Sequence, residues 1–265
     1  MSGICIWIIL VAAVACGFAK PIERTSEDLS EFINGLPENI GSEYNEGLFE
    51  GDITGVNEVM TRNGILDVNF LWRYRRVYYV IHERFSAEDR VNIEEAMAEY
   101  HRKTCIRFVP LPDMADRPPW MDDYLIIAMN QTGCHSYVGR RGGVQLLNLQ
   151  NPGCMSRGTI LHELMHAVGF WHEQSRPDRD DYVTIVAQNI PANNLHNFNA
   201  YNWNTVTILD EPYDYESVMH YDAYAFTNTS NAMTIVPKLA NAKLGQRLDF
   251  SVSDVKKINR RYACT

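Results

Sequence analysis

The chain lacks a membrane-spanning run: its longest apolar stretch, Ile4 to Ala15, is too short to cross a bilayer comfortably, and no later run approaches that length. It lacks a basic excess, with 24 Lys and Arg against 33 Asp and Glu and no clustered basic stripe, which argues against nucleic acid as a partner. It shows no internal repeat and no low-complexity tail, so solenoid and fibrous architectures are excluded. Cysteine is sparse, at six residues, and residues 20–62 contain neither cysteine nor histidine. The segment ahead of the apolar stretch, Met1-Ser2-Gly3, also lacks the usual Lys or Arg of a leader. With small residues Gly17 and Ala19 following, the stretch still reads as a secretory signal peptide cut near Ala19.

At 265 residues and 46% hydrophobic content, the rest of the chain can bury a sizeable core. The formal charge of -9 is unevenly spread: residues 20–62 carry ten acids and three bases, leaving 63–265 close to neutral at -2. Three parts follow: a leader at 1–19, an acidic and poorly self-folding segment at 20–62, and a folded domain at 63–265. Cys5 and Cys16 fall in the leader. The remaining Cys105, Cys134, Cys154 and Cys264 allow three pairings, and an oxidising compartment favours two disulfides. Asn130 (N-Q-T) and Asn228 (N-T-S) fit glycosylation acceptors, compatible with export.

The most informative stretch is His162 to Glu173, H-E-L-M-H-A-V-G-F-W-H-E. His162 and His166 are four apart and share one face of a helix, with Glu163 next to the first. Gly169 reads as the helix stop, where a positive φ turns the chain and brings His172 back as a third ligand. Three imidazoles with an open position form the catalytic arrangement for zinc rather than the structural one. Glu163, adjacent to a ligand but not one itself, is placed as general base.

Around this stretch the pattern predicts a mixed sheet. Val77–Ile81, Cys105–Val109, Tyr124–Met129 and Val144–Asn148 read as strands. Ser86 caps a helix from Ala87 to about Lys103, with Asp89 at N3 and Val91, Met97 and Tyr100 on the buried face. The zinc helix is expected from near Thr159 to Gly169. Residues 173–215 are polar with little periodicity, apart from a short helix around Ile190–Phe198. A last helix is capped by Ser251, with Asp254 at N3 and Val255, Ile258 and Tyr262 on one face. The class is α+β, with a twisted mixed sheet and two long helices in an upper lobe, a mostly irregular lower lobe carrying a C-terminal helix, and the zinc cleft between.

Four stretches together resemble the astacin family of secreted zinc endopeptidases, within the metzincins. They are H-E-L-M-H-A-V-G-F-W-H-E-Q-S-R-P-D-R-D-D-Y (162–182), S-V-M-H-Y (217–221), Gly142 to Gln145, and K-K-I-N-R-R-Y-A-C (256–264). The likeness runs from about Asn63 to the end. It implies disulfides Cys105–Cys264 and Cys134–Cys154, a Met-turn at Met219 below the metal, and Tyr221 as a displaceable fifth ligand that stabilises the oxyanion during attack. One catalytic Zn2+, protein or peptide substrates, a monomeric secreted enzyme and no membrane anchor after leader removal are the corresponding expectations.

The acidic segment sits where a propeptide would. A strong zinc ligand from it must be a carboxylate, since it holds no His or Cys. Phe49-Glu50-Gly51-Asp52 resembles the family's inhibitory F-x-G-D motif, with Phe49 as anchor, Gly51 permitting close approach and Asp52 on the zinc. Most of the other nine acids read as solvated linker. Arg62-Asn63 is a basic cleavage site that matches the family's usual mature start, cut by another protease, and the resemblance implies that the freed amino group of Asn63 turns inward toward Glu173. A catalytically silent zinc module is disfavoured because Glu163 and all three histidines are present.

Overall fold

The computed structural model describes residues 44–45, 47–56, 68–111, 122–204, 206–229 and 232–265. The expected leader, most of the acidic segment and the Arg62–Asn63 junction lie outside these residues.

The upper half is built on a five-stranded sheet: β1 (Arg76–Ile81), β2 (Arg107–Pro110), β3 (Tyr124–Ala128), β4 (Cys134–Ser136) and β5 (Val144–Leu149), in the spatial order β2-β1-β3-β5-β4. All neighbours are parallel except β4, which runs antiparallel to β5 and forms one edge. Every residue of β3 is buried, as expected of a central strand covered on both faces. The expected strand at Cys105–Val109 starts later, at Arg107, and β4 has too little apolar alternation in Cys-His-Ser to stand out in the sequence.

Two helices pack on the sheet. The first, α1 (Ala87–Lys103), opens with the expected capping box: Ser86 Oγ accepts from the Asp89 N–H at 3.1 Å, and Asp89 Oδ2 accepts from the Ser86 N–H at 3.1 Å. A cap of this kind contributes about 1 kcal/mol. Its buried stripe is Ile93, Ala96, Met97 and Tyr100. Val91, expected on that stripe, is 52% exposed. It lies two residues from Ile93, roughly 200° around the helix, so the two cannot share a face. Tyr100 is fully buried and donates its hydroxyl to the Leu161 carbonyl at 2.8 Å, locking α1 to the second helix, α2 (Arg157–Ala167).

The start of α2 precedes the expected Thr159, because Ser156 rather than a later residue supplies the cap to the Thr159 N–H. Gly158 allows a close approach: a Cβ there would lie 2.0 Å from the Arg247 backbone. Gly169 has φ 109°, the Gly169 N–H bonds the His166 carbonyl at 2.8 Å, and the Phe170 N–H bonds the Met165 carbonyl at 3.1 Å. These two bonds form a Schellman stop, so the glycine ends the helix as read from sequence.

The lower half is mostly irregular. It contains short 3-10 turns, among them Ala192–Phe198 where a short helix was expected, a small antiparallel pair of β6 (Val183–Ile185) and β7 (Ile235–Pro237), and α3 (Val252–Arg261). Its capping box at Ser251 and Asp254 is formed, and Ile258 and Tyr262 are buried while Val255 is partly so. Disulfides Cys105–Cys264 and Cys134–Cys154 are both present. The first joins the end of α1 to the end of α3, and the second ties β4 to the turn before α2.

Candidate metal centre

His162 and His166 project from one face of α2, and the turn at Gly169 returns His172 to them. His162 Nε2 lies 3.1 Å from His166 Nε2 and 3.3 Å from His172 Nε2. Asp52 reaches into the same point: its Oδ2 is 3.1 Å from both His162 Nε2 and His172 Nε2, and its Oδ1 is 3.5 Å from His166 Nε2. All four side chains are buried.

The opposite ring nitrogens decide what this cluster can hold. His162 Nδ1 faces the Val218 carbonyl at 2.8 Å and His166 Nδ1 faces the Phe170 carbonyl at 2.7 Å. A carbonyl only accepts, so both protons sit on Nδ1. His172 Nδ1 faces the Glu50 carboxylate at 2.6 Å and is fixed in the same way. In each neutral ring the Nε2 lone pair then faces inward, so three Nε2 atoms and the Asp52 carboxylate converge, and Asp52 Oδ1 has no hydrogen-bond partner among the described residues. Without an ion, burial lowers the pKa of His172, but Asp52 and Glu50 outweigh it, raise that pKa and favour a proton on its Nε2 as well. These four atoms could hold one metal ion, and a nitrogen-rich set with one oxygen suits zinc. The carbonyl and carboxylate partners on Nδ1 are the outer contacts that orient metal-binding imidazoles.

Asp52 is delivered by a tight loop. Phe49 and Ile53 exchange both main-chain hydrogen bonds, at 3.2 and 2.9 Å, around Glu50 and Gly51, whose φ values are 48° and 79°. Asn45 clamps the Gly51 carbonyl through its N–H at 2.8 Å and its side-chain amide at 3.0 Å. Phe49 packs edge-on against Trp171 with ring centroids 5.9 Å apart. Beyond Asp52 the segment adds to the open edge of β4: the Ser136 N–H donates to the Asp52 carbonyl and the Thr54 N–H to the Ser136 carbonyl, both at 2.9 Å. The pairing at Ile53 and Ser136 is parallel.

Glu50 corrects the reading of the acidic segment as solvated linker around Asp52. It is 1% exposed, has a left-handed backbone and is held by five hydrogen bonds, three to its carboxylate and two to its main chain. Its carboxylate accepts from His172 Nδ1, from Ser175 Oγ at 2.7 Å and from the Tyr201 hydroxyl at 2.8 Å; its N–H donates to Asn197 Oδ1 at 2.9 Å. Its carbonyl accepts the Tyr221 hydroxyl at 2.5 Å. The only signal in the sequence was an acid at the open position of F-x-G-D. Tyr221, the expected fifth ligand, thus spends its hydroxyl on the loop in this form. Burial, reinforced by Glu50 and Asp52, pushes its pKa well above the usual tyrosine value, so it stays a donor.

Glu163 is fully buried beside His162. Met219 is buried in the main core, and its carbonyl accepts the N–H of Glu173 at 3.0 Å. The turn containing it hangs from Asp254, which accepts from Ser217 Oγ at 2.6 Å and from the Val218 N–H at 2.9 Å. Since the Val218 carbonyl orients His162, Asp254 positions a ligand as well as capping α3, a role its N3 position does not reveal.

Glu173 is buried, not a surface acid. Lys257 Nζ meets its Oε2 at 2.6 Å, and Arg176 and the Asp214 N–H meet its Oε1 at 3.1 and 3.0 Å. Burial alone would raise its pKa, but Lys257 and Arg176 outweigh it and hold the carboxyl below its ordinary value. A small cavity of about 60 Å³ opens beside it, lined by Trp171, Tyr201, Leu209, Arg176 and Lys257 among others. Lys257 was not singled out in the sequence. Nor was His135 on β4, which is 3% exposed, lies 2.9 Å through Nδ1 from Thr54 Oγ1, and is depressed by burial to a pKa of about 4. Asn130 is half-buried and Asn228 exposed; Asn63 lies outside the described residues.

The sequence model described as Astacin (Peptidase family M12A) matches residues 65–263. Zinc metalloproteinase nas-4 of Caenorhabditis elegans is 45% identical over 209 residues, covering 78% of this chain and 64% of that protein. Meprin A subunit beta of Rattus norvegicus is 37% identical over 265 residues, covering 98% of this chain and 36% of that protein. The solved structure of High choriolytic enzyme 1, a hatching enzyme zinc-protease from Oryzias latipes, aligns with a TM-score of 0.65 and 37% identity, covering 81% of this chain and all of that one. The chain spans only about half to two thirds of the length of the first curated relatives it matches.

Proposed function

The chain belongs to the astacin family of peptidases, and we propose from that premise that it is a secreted zinc-dependent endopeptidase made as a latent precursor. The observation that carries this reading is the convergence of the three imidazole Nε2 atoms of His162, His166 and His172 with the carboxylate of Asp52. His162, His166 and His172 would hold the zinc, and Asp52 would join them until the segment 20–62 is removed. When bound, zinc supplies Lewis acidity toward a water and a peptide carbonyl. Glu163 receives the proton from that water on its carboxylate and returns it to the leaving amine. Tyr221, released from the Glu50 carbonyl, donates its hydroxyl to the developing oxyanion. Met219 forms the floor of the site.

Maturation follows the same logic. A protease cuts at Arg62–Asn63, and the new amino group enters the cavity beside Glu173, where Lys257 already neutralises one carboxylate oxygen. Substrates are proteins or peptides, the leader 1–19 directs export, Asn130 and Asn228 are candidate glycosylation sites, and the mature domain acts as a monomer.

The test uses the full precursor with Arg62→Gln to block cleavage. It is expected to be inactive on casein, and Asp52→Ala in that background is expected to release chelator-sensitive activity. A fully latent Asp52→Ala precursor would overturn the blocking role of Asp52.

A further inference from the structure

We propose that His135 lines a substrate subsite selecting a hydroxyl-bearing side chain, serine or threonine, near the scissile bond. This rests on the reading that the segment 44–56 occupies the path a substrate takes. The contacts joining that segment to β4 are of two kinds. Ser136 binds the Asp52 carbonyl and the Thr54 N–H through main-chain groups alone. Any extended peptide can supply those groups, so they confer no selectivity.

Thr54 adds a side-chain contact. It lies two residues from Asp52, so in an extended strand the two side chains point to the same side. Its Oγ1 sits 2.9 Å from His135 Nδ1. His135 is 3% exposed with the segment in place, and Thr54 is part of what covers it. Removing the segment uncovers the imidazole at the edge along which a replacing strand would pair. An uncharged imidazole has one nitrogen that donates and one that accepts, and a hydroxyl can satisfy either. A methyl group in the same place would leave the buried ring nitrogen unpartnered, which is how a polar subsite rejects an apolar isostere.

The test compares threonine with valine, which have the same shape. Mature enzyme, residues 63–265, is given matched peptides carrying Thr or Val at each of the three positions on either side of the cleaved bond. The wild type is expected to favour Thr at one position by about fivefold in kcat/KM, the size of one net neutral hydrogen bond. In His135→Leu that ratio should fall to about one. His135→Gln, which keeps a hydrogen-bonding group, should retain part of the preference and serves if the leucine variant does not fold. A ratio unchanged in both variants, or no position at which Thr and Val differ, overturns the proposal. The latency reading fails separately: it is judged by the Asp52→Ala precursor, whereas these ratios are measured on enzyme that has lost the segment.

Discussion

The sheet-bearing half of the molecule meets residues 44–56 mainly through the main chain of β4, whereas the irregular half meets them mainly through side chains. On the upper side the Ser136 N–H and carbonyl and the Cys134 carbonyl make main-chain contacts, and His135 adds one side-chain contact to Thr54. On the lower side Ser175, Tyr201, Asn197 and Tyr221 surround Glu50, and Asp222 takes the Tyr44 hydroxyl at 2.6 Å. Main-chain pairing accepts nearly any strand. A buried carboxylate with three dedicated partners, His172, Ser175 and Tyr201, accepts one loop. On the proposed function, breadth toward substrates would belong to the upper half and recognition of the segment around Asp52 to the lower half, with the three-histidine cluster at the seam.

The harshest break leaves both halves in place and removes the chemistry between them. Glu163→Gln in the mature enzyme is expected to keep its zinc while kcat/KM falls by about 10²- to 10⁴-fold, the usual worth of a general base. Zinc content by atomic absorption alongside a peptide assay separates the two effects, and retained turnover would remove Glu163 from the role.

The comparison itself is sharpened by a synthetic peptide of residues 44–56 titrated against mature enzyme. Glu50→Ala in the peptide should raise its inhibition constant by about 10- to 100-fold, because hydrogen bonds to a charged group are each worth roughly 1.5–3 kcal/mol. Thr54→Val, which leaves all main-chain pairing intact, should cost less than about tenfold. Equal effects would mean that the two halves do not divide the work.

A third change acts within the lower half alone. Glu173→Ala strands Lys257, whose side chain is 6% exposed with its ammonium 2.6 Å from that carboxylate. Loss of one partner from a buried pair costs about 3–5 kcal/mol, read as a lowered denaturant midpoint. A shift below about 1 kcal/mol would place the pair in the surface class instead.

The smallest effect is expected in the upper half. Glu99 is held at a pKa of about 2: burial opposes its ionisation, but hydrogen bonds from Lys103, Arg102 and Arg157 win. Because the folded pKa lies below its ordinary value of 4.5, this contribution is present above that pH and is lost as pH falls toward 2. Denaturation midpoints across that window should drop for the wild type and flatten for Glu99→Gln.

The same division explains what the sequence showed. Upper-half elements announced themselves by period and caps: α1 by Ser86 and Asp89, α2 by the histidine spacing and Gly169, β3 by its apolar run. Val91 was misplaced because apolar identity was read without its angle on the helix. In the lower half, order comes from buried polar side chains bonding main-chain groups far away in sequence, as Asp254 does for Ser217 and Val218. No local pattern encodes such a bond. At the site, the histidines were legible from spacing and Asp52 from the F-x-G-D resemblance. Glu50, Lys257 and His135 were not, because each matters only through a partner that folding brings near.

The most direct measurement is X-ray absorption at the zinc edge on the Arg62→Gln precursor, with and without Asp52→Ala. The wild-type precursor should show three imidazole nitrogens and one carboxylate oxygen, and the variant should keep the imidazole signal while its oxygen contribution changes. Identical spectra, or loss of the three-imidazole signal in the wild type, would contradict a three-histidine zinc site closed by Asp52.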